Sequence, residues 1–381
     1  LAVKAKETHQ GPGLTELVDK GPESSRLLGA LAGGRLGGTL LFHGPDGAGK
    51  SSLAFYLAAA LNCRENQVSG APCGICDSCR KVGRLSHPDV IWVPPVPGSF
   101  YKSGRLDEER LAEVYEQRRQ APWLDLRFPD KSEHHLGAVG RVRAEAEKSC
   151  YEGRNKVFIM TGAEKLRLEA ANALLKLLEE PRAGVWLILC TERPSGLLPT
   201  ILSRCQRLRV RRPGRAAALG VLRERFGQEE AAAAELLALA DGNLSLAFRL
   251  LDQESLDRQR EWVGSVFEAA LARGLEQSFS LLEDRGGPFY NRGDFERFAA
   301  GLTQGLRDAL LMRLGGPPPA AASRALCDFS ENTVDTAALT GLLGRMAGLG
   351  DDLGRNVNLR LLGWSIIADM RKAVGIEHGN D

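Results

Sequence analysis

His43-Gly44-Pro45-Asp46-Gly47-Ala48-Gly49-Lys50-Ser51-Ser52 matches G-x-x-x-x-G-K-[ST], the signature of a phosphate-binding loop. Gly44, Gly47 and Gly49 free the backbone to fold its N–H donors around phosphate oxygens. Lys50 adds a positive charge beside the outer phosphates, and Ser51, with Ser52 next to it, offers a hydroxyl to magnesium. Thr39-Leu40-Leu41-Phe42 reads as a buried strand before the loop. Ser52 to Leu61 reads as the helix after it, whose N-terminus favours anions. Strand, loop and helix in that order predict an α/β fold with ATP or ADP, and Mg2+, as the ligand; the bland alternative is a Gly-rich turn.

The chain has 381 residues and a net charge of +2, which by itself points to neither nucleic acid nor membrane. Apolar runs fall short of the roughly 18–20 residues a membrane span needs, and Leu1 to Gly13 lacks the apolar core of a signal peptide. A cytoplasmic location is therefore expected. Eight cysteines are present, four of them within residues 62–80. Cys63, Cys73, Cys76 and Cys79 are spaced C-x9-C-x2-C-x2-C, which suits a closed tetrahedral Zn2+ site of structural type. The alternative is a set of free or redox-active thiols; a base-reading zinc finger lacks its recognition helix here.

Residues 1–20 read as a tail, and Glu23 to Leu31 as an amphipathic helix. His87 to Val93 reads as a second strand, with His87 as a turn or packing residue because four cysteines already complete a site. Residues 94–136 are Pro- and charge-rich and read as an insertion with one helix, Asp107 to Arg119. Val139 to Ser149 reads as a charged surface helix with Arg141 and Arg143 in solvent. Lys156 to Met160 is a continuous apolar run, as in a central parallel strand. An ATPase of this architecture would follow it with Asp, which holds magnesium, and Glu, which prepares the attacking water. Thr161-Gly162-Ala163-Glu164 follows instead, and Glu164 lies three residues beyond the needed position. Phosphate binding is thus expected with hydrolysis absent or weak.

Arg167 to Glu180 reads as a helix ended by Pro181, Val185 to Cys190 as a buried strand, and Pro199 to Cys205 as a short helical segment. Arg207, Arg209, Arg211 and Arg212 then read as a solubilising edge strand. Ala216–Phe226, Glu230–Ala240 and Leu244–Leu251 read as helices, with Asp241-Gly242-Asn243 as a turn. The remainder is helical, broken at Gly286-Gly287-Pro288 and Gly315-Gly316-Pro317-Pro318-Pro319, and carries no catalytic constellation.

These motifs, in this order, resemble the bacterial DNA polymerase III clamp-loader subunits. The resemblance rests on the phosphate loop, the four-cysteine module after its helix, and the His87-Pro88-Asp89 strand. It rests also on Ala170-Ala171-Asn172-Ala173-Leu174-Leu175-Lys176-Leu177-Leu178-Glu179-Glu180-Pro181 and on Leu198-Pro199-Thr200-Ile201-Leu202-Ser203-Arg204-Cys205-Gln206. It is close over roughly residues 20–210. The family holds gamma/tau motor subunits and a non-motor delta-prime type. Thr161-Gly162-Ala163 replaces the motor Asp-Glu-Ala. Thr191-Glu192-Arg193-Pro194 lacks the motor Asn, and Ser245 stands where motors carry a nucleotide-contacting Arg. These departures resemble the delta-prime type, whereas the intact loop departs the other way.

The resemblance implies an AAA+ parallel-sheet domain over 1–212, with the cysteine module at 62–80 and the insertion at 94–136. A helical lid over 213–253 and an all-helical collar domain over 254–381 would follow. It implies that Arg204 is an arginine finger acting in trans on a neighbouring motor subunit's ATP. It also implies gamma/tau and delta subunits, the sliding clamp and primed DNA as partners, with no membrane. The competing readings are a catalytically active gamma/tau-like ATPase and, from a different class, an unrelated P-loop kinase or zinc-dependent nucleic-acid binder.

Overall fold

A computed structural model describes residues 22–65, 70–122, 128, 131–251, 253–317, 323–333, 335–354 and 357–376. The expected tail, residues 1–20, lies outside the described residues, as do parts of the 94–136 insertion and Pro318-Pro319 of the second helical break. The chain divides into two compact units. One holds the chain up to Ala234 together with Gly242–Phe248; the other holds Glu235–Asp241 and the chain from Arg249 onward.

The first unit is built on five parallel strands: β1 (Thr39–His43), β2 (Val90–Val93), β3 (Lys156–Thr161), β4 (Val185–Thr191) and β5 (Gln206–Arg209). Their order across the sheet is β2-β3-β4-β1-β5. Strand β1 pairs Thr39 with Leu187 and His43 with Thr191 on one side, and His43 with Arg209 on the other. After β1 the chain crosses to the far edge at β2 and works back, so the carboxyl end of β1 is a switch point in strand order. Open α/β sheets place ligands at such a point.

Among the described residues up to β5 the α-helices are α1 (Pro22–Ala32), α2 (Lys50–Asn62), α3 (Asp77–Gly83), α4 (Glu108–Gln120), α5 (Leu136–Ala146), α6 (Leu168–Glu179) and α7 (Pro199–Leu202). Successive strand side chains point to opposite faces. Leu40, Phe42, Val157, Ile159 and Ile188 therefore meet Leu53, Ala54, Leu57 and Ala58 of α2. Leu41, Phe158, Met160, Leu187 and Leu189 meet Val142 of α5 and Leu174 and Leu178 of α6 on the other face. Both faces are covered, which is why these strands read as continuous apolar runs. Truncating Phe158, which is fully buried, to Ala would cost about 3–5 kcal/mol.

Two expectations change in detail. The His87–Val93 strand begins only at Val90, because His87 and Asp89 form the turn before it: Asp89 N–H donates to His87 Nδ1 at 3.1 Å. The helix expected at 139–149 runs from Leu136 to Ala146, and its Arg141 is not simply solvated. Arg141 Nε lies 3.1 Å from Glu108 of α4. The partner comes from the 94–136 insertion folding back over α5, which helical periodicity in 139–149 alone does not reveal. Arg143 is exposed, as expected.

Helices α8 (Arg215–Phe226), α9 (Glu230–Leu239) and α10 (Leu244–Arg249) follow the sheet. The second unit then runs through α11 (Gln253–Leu271), α12 (Glu276–Glu283), α13 (Arg292–Arg313), α14 (Arg324–Asn332), α15 (Thr336–Gly354) and α16 (Leu359–Ala373). Its core is aromatic, with Phe267, Phe289, Phe295, Phe298 and Phe329 buried together. Both expected breaks fall between helices, the first between α12 and α13 and the second after α13. Among the described residues no helix is long and apolar enough to cross a membrane.

Candidate functional site

The phosphate loop leaves the carboxyl end of β1 and enters α2 through Gly49, its N-cap, where no side chain caps the helix. The first-turn N–H groups are thus available to an anion. Gly47 holds φ +72°, and a Cβ there would sit 2.0 Å from Asn243 Oδ1. A Cβ on Gly44 would sit 2.0 Å from the Val210 carbonyl oxygen. Glycine is required at both positions by close approach, not only by turn preference. Lys50 Nζ donates to the carbonyls of Gly44 (2.9 Å) and Pro45 (2.7 Å), which keeps the ammonium at the rim of the loop. Ser51 is half-buried and Ser52 buried in the first turn of α2.

The loop is braced from outside itself. Asp46 Oδ1 accepts the Gly47 N–H at 2.9 Å, and Asp46 Oδ2 accepts Asn243 Nδ2–H at 3.0 Å. Arg212 Nε donates to the Asp46 carbonyl at 2.9 Å, and Gly44 N–H donates to Thr191 O at 3.2 Å. His43, paired in register with Arg209, has its pKa lowered by burial and then by the charges of Arg209 and Arg207.

The end of β3 carries no carboxylate. Thr161 Oγ1 accepts the Trp92 indole N–H at 3.2 Å, and the Thr161 carbonyl meets His134 Nε2 at 2.8 Å. Glu164 is engaged elsewhere: its Oε2 accepts the Thr191 hydroxyl at 2.7 Å. Thr191 continues the alternation of Leu187 and Leu189, so this pair belongs to the α5–α6 face, opposite α2.

The four cysteines converge. Their sulfurs all lie within 4.8 Å of one another, with Cys73 Sγ 3.9 Å from Cys79 Sγ. Four thiolates about 2.3 Å from a central ion would stand roughly 3.8 Å apart, so the cluster fits a metal ion. Backbone N–H groups already serve the sulfurs: Cys73 N–H to Cys63, Cys76 N–H to Cys73, and Cys79 N–H to Cys76. Burial pushes the Cys76 thiol up, but the Arg64 and Cys79 backbone donors, with the Cys79 and Cys73 thiols, bring it down to about 6. Burial raises Cys79.

The module is fastened to the sheet through a loop. Lys81 of α3 pairs with Glu152 at 2.6 Å, and Asn62 Oδ1 accepts from Arg154 and Asn155 N–H, both at 2.9 Å. Asp89 anchors that loop by accepting from Tyr151, Glu152 and Gly153 N–H at 2.8–2.9 Å. Burial opposes its ionisation, but these three donors outweigh it and lower its pKa. His87 is buried, in keeping with a packing role.

Arg204 lies beyond α7, at the start of β1 and not at its end. Its carbonyl accepts the Thr39 hydroxyl at 2.9 Å. A five-residue strand separates it from Gly44, about 16 Å at strand rise, so it lies at the opposite end of β1 from its own phosphate loop. Cys63 lies at the far end of the 13-residue helix α2 from Lys50, about 20 Å away at helical rise. The three groups of predicted residues therefore occupy three separate places. Sequence reading missed Asp46, Asn243 and Arg212 as braces of the loop. Only the phosphate-loop spacing marked Asp46, and nothing local connects it to Asn243.

The profile of a family described as "DNA polymerase III, delta subunit" matches residues 22–213, just over half of the chain. The DNA polymerase III subunit delta' of Pseudomonas aeruginosa is 36% identical over 227 residues, 59% of each chain. That of Bacillus subtilis is 26% identical over 79% of this chain and 80% of its own. DNA polymerase III subunit tau of Salmonella typhimurium is 31% identical over 60% of this chain but 30% of its own. The match thus spans well under two thirds of the Pseudomonas relative.

Proposed function

From a chain that belongs to the DNA polymerase III delta-subunit family, and within it to the delta-prime type, we propose a non-motor clamp-loader subunit that supplies Arg204 in trans. It would assemble with gamma/tau and delta subunits into the ring that loads the sliding clamp on primed DNA. In this reading 213–253 is the lid and the helical chain beyond it the collar.

The observation that carries the reading is the placement of Arg204 at the opposite end of β1 from the chain's own phosphate loop. An arginine there serves a neighbour's nucleotide, where a planar, permanently charged fork stabilises charge spread over phosphoryl oxygens. Thr161 and the engaged Glu164 support weak or absent hydrolysis by the chain itself. Gly44, Gly47, Gly49, Lys50, Ser51 and Ser52 would still hold ATP or ADP with Mg2+. Cys63, Cys73, Cys76 and Cys79 would hold a structural Zn2+, far from the chemistry.

The intact loop favours the second reading, a gamma/tau-like motor. Steady-state ATPase of the purified chain, with and without a motor subunit at saturating magnesium, separates the two. The expected result is little turnover alone and an Arg204-dependent rise in the mixture; arginine fingers in other phosphoryl-transfer systems are worth on the order of 10³–10⁵-fold. Robust turnover alone, abolished by Lys50→Ala, would make the chain itself a motor.

A further inference from the structure

We propose that Glu179 is the positioning residue of Arg204; the proposal rests on the arginine-finger reading above. A guanidinium has five N–H donors in a fixed plane. In Arg204, Nε donates to Glu179 Oε1 at 2.6 Å, and Nη1 donates to the Thr200 carbonyl at 3.0 Å and the Ser203 hydroxyl at 3.2 Å. These three bonds fix the plane of the fork. They leave the two Nη2 donors without a protein acceptor among the described residues.

The main chain of Arg204 is held as well. Its carbonyl takes the Thr39 hydroxyl, and its N–H donates to Ile201 O at 3.1 Å. Glu179 is the last residue of α6, just before the Pro181 stop, so the carboxylate stands on a rigid base. Arg204, Glu179, Ser203 and Thr39 line an open cleft at the protein surface. The side chains are about one third and one half exposed.

The consequence is chemical. A long exposed arginine loses rotamer freedom when it engages an anion. Here the ordering is already done: Glu179 holds Nε, Thr200 and Ser203 hold Nη1, and the Nη2 tip is left for the anion. An incoming phosphoryl group of a neighbouring nucleoside triphosphate therefore meets an oriented Nη2 tip with two unused N–H donors. Glu179 touches no reacting atom and acts only through the fork. Holding geometry in this way affects the transition state more than nucleotide binding.

The test uses the assembled complex with wild-type motor subunits and this subunit carrying Arg204→Ala, Glu179→Ala, Glu179→Gln, or Arg204→Ala with Glu179→Ala. Assembly is checked by native mass. The expected result for Glu179→Ala is a fall in ATPase kcat of about two- to fivefold, as befits a half-exposed pair, with KM for ATP unchanged. Glu179→Gln, which keeps an acceptor oxygen, should recover part of it. The double variant should be no slower than Arg204→Ala alone. If Arg204→Ala slows the complex but Glu179→Ala leaves kcat unchanged, raises it, or adds fully to Arg204→Ala, the positioning role is overturned and the finger stands. If Arg204→Ala itself has no effect, the finger reading falls, and this proposal with it.

Discussion

Asn243 Nδ2 donates to Asp46 Oδ2 at 3.0 Å, joining two residues 197 positions apart and seating the turn before α10 on the phosphate loop. Asn243 serves both sides of that joint, because its Oδ1 also accepts the Leu246 N–H and starts α10. Replacing Asn243 with Ala removes the tie and the cap together. The expected cost is about 1–2 kcal/mol, read as faster amide exchange in 244–249 and in the loop at 44–49. Unchanged exchange at both would show that the joint contributes nothing.

His134 makes the first unit sensitive to acid. It is fully buried, and its Nε2 meets the Thr161 carbonyl at 2.8 Å, so the neutral ring donates there. Burial is the main cause that lowers its pKa, from 6.5 to about 4. The unfolded chain takes up this proton first as pH falls. The stabilisation is therefore complete above about pH 6.5, declines between 6.5 and 4, and is gone below. The window corresponds to roughly 3 kcal/mol. Denaturant melts from pH 7.5 to 4 should show this loss, and His134→Gln should flatten the curve in that window.

The cysteine cluster predicts one Zn2+ per purified chain. Cys76→Ser should lose the metal and open residues 63–80 to protease, whereas Cys327→Ser, on α14 outside the cluster, should keep it. Metal folding energies near 10–16 kcal/mol in isolated peptides make a partial effect at Cys76 unlike the expected one. Metal content measured by atomic spectroscopy decides the matter; full retention in Cys76→Ser would remove the four-cysteine site.

Arg371 holds the second unit together at one point. It is 2% exposed, and Nη1 donates to the carbonyls of Ala269 and Gly274, both at 3.1 Å, and to Ala272, while Nη2 donates to Arg273 O at 3.2 Å. The guanidinium thus serves the end of α11 from α16, where the last carbonyls of a helix lack partners. Arg371→Ala should destabilise this unit by about 3 kcal/mol or more. Arg371→Lys should recover only part, since an ammonium cannot span four carbonyls as a planar fork does. Thermal unfolding of the two variants checks both statements.

Much of the first unit was legible in order along the chain. Continuous apolar runs at 39–42, 156–160 and 185–190 belong to strands covered on both faces, and buried strands carry that pattern whatever their neighbours are. The cysteine spacing and the phosphate-loop spacing are likewise local, because ligands on one short stretch must share one geometry. The departure of Thr161 from a carboxylate was equally plain in the residues. The extent of α5 and the pairing of its Arg141 were not, because the Glu108 partner comes from another element.

The sequence by itself determined the types of the main strands and helices, the spacing of the two local motifs and the family, since each rests on residues close together in the chain. Only the tertiary structure decided which end of β1 Arg204 occupies, that Glu179 holds its fork, that Glu164 is tied to Thr191, and that Asn243 seats on Asp46. Those bonds join residues 25 to 197 positions apart. Hydrogen bonds act over about 3 Å, and separation along the chain says nothing of such distances until sheet order and register bring the groups together.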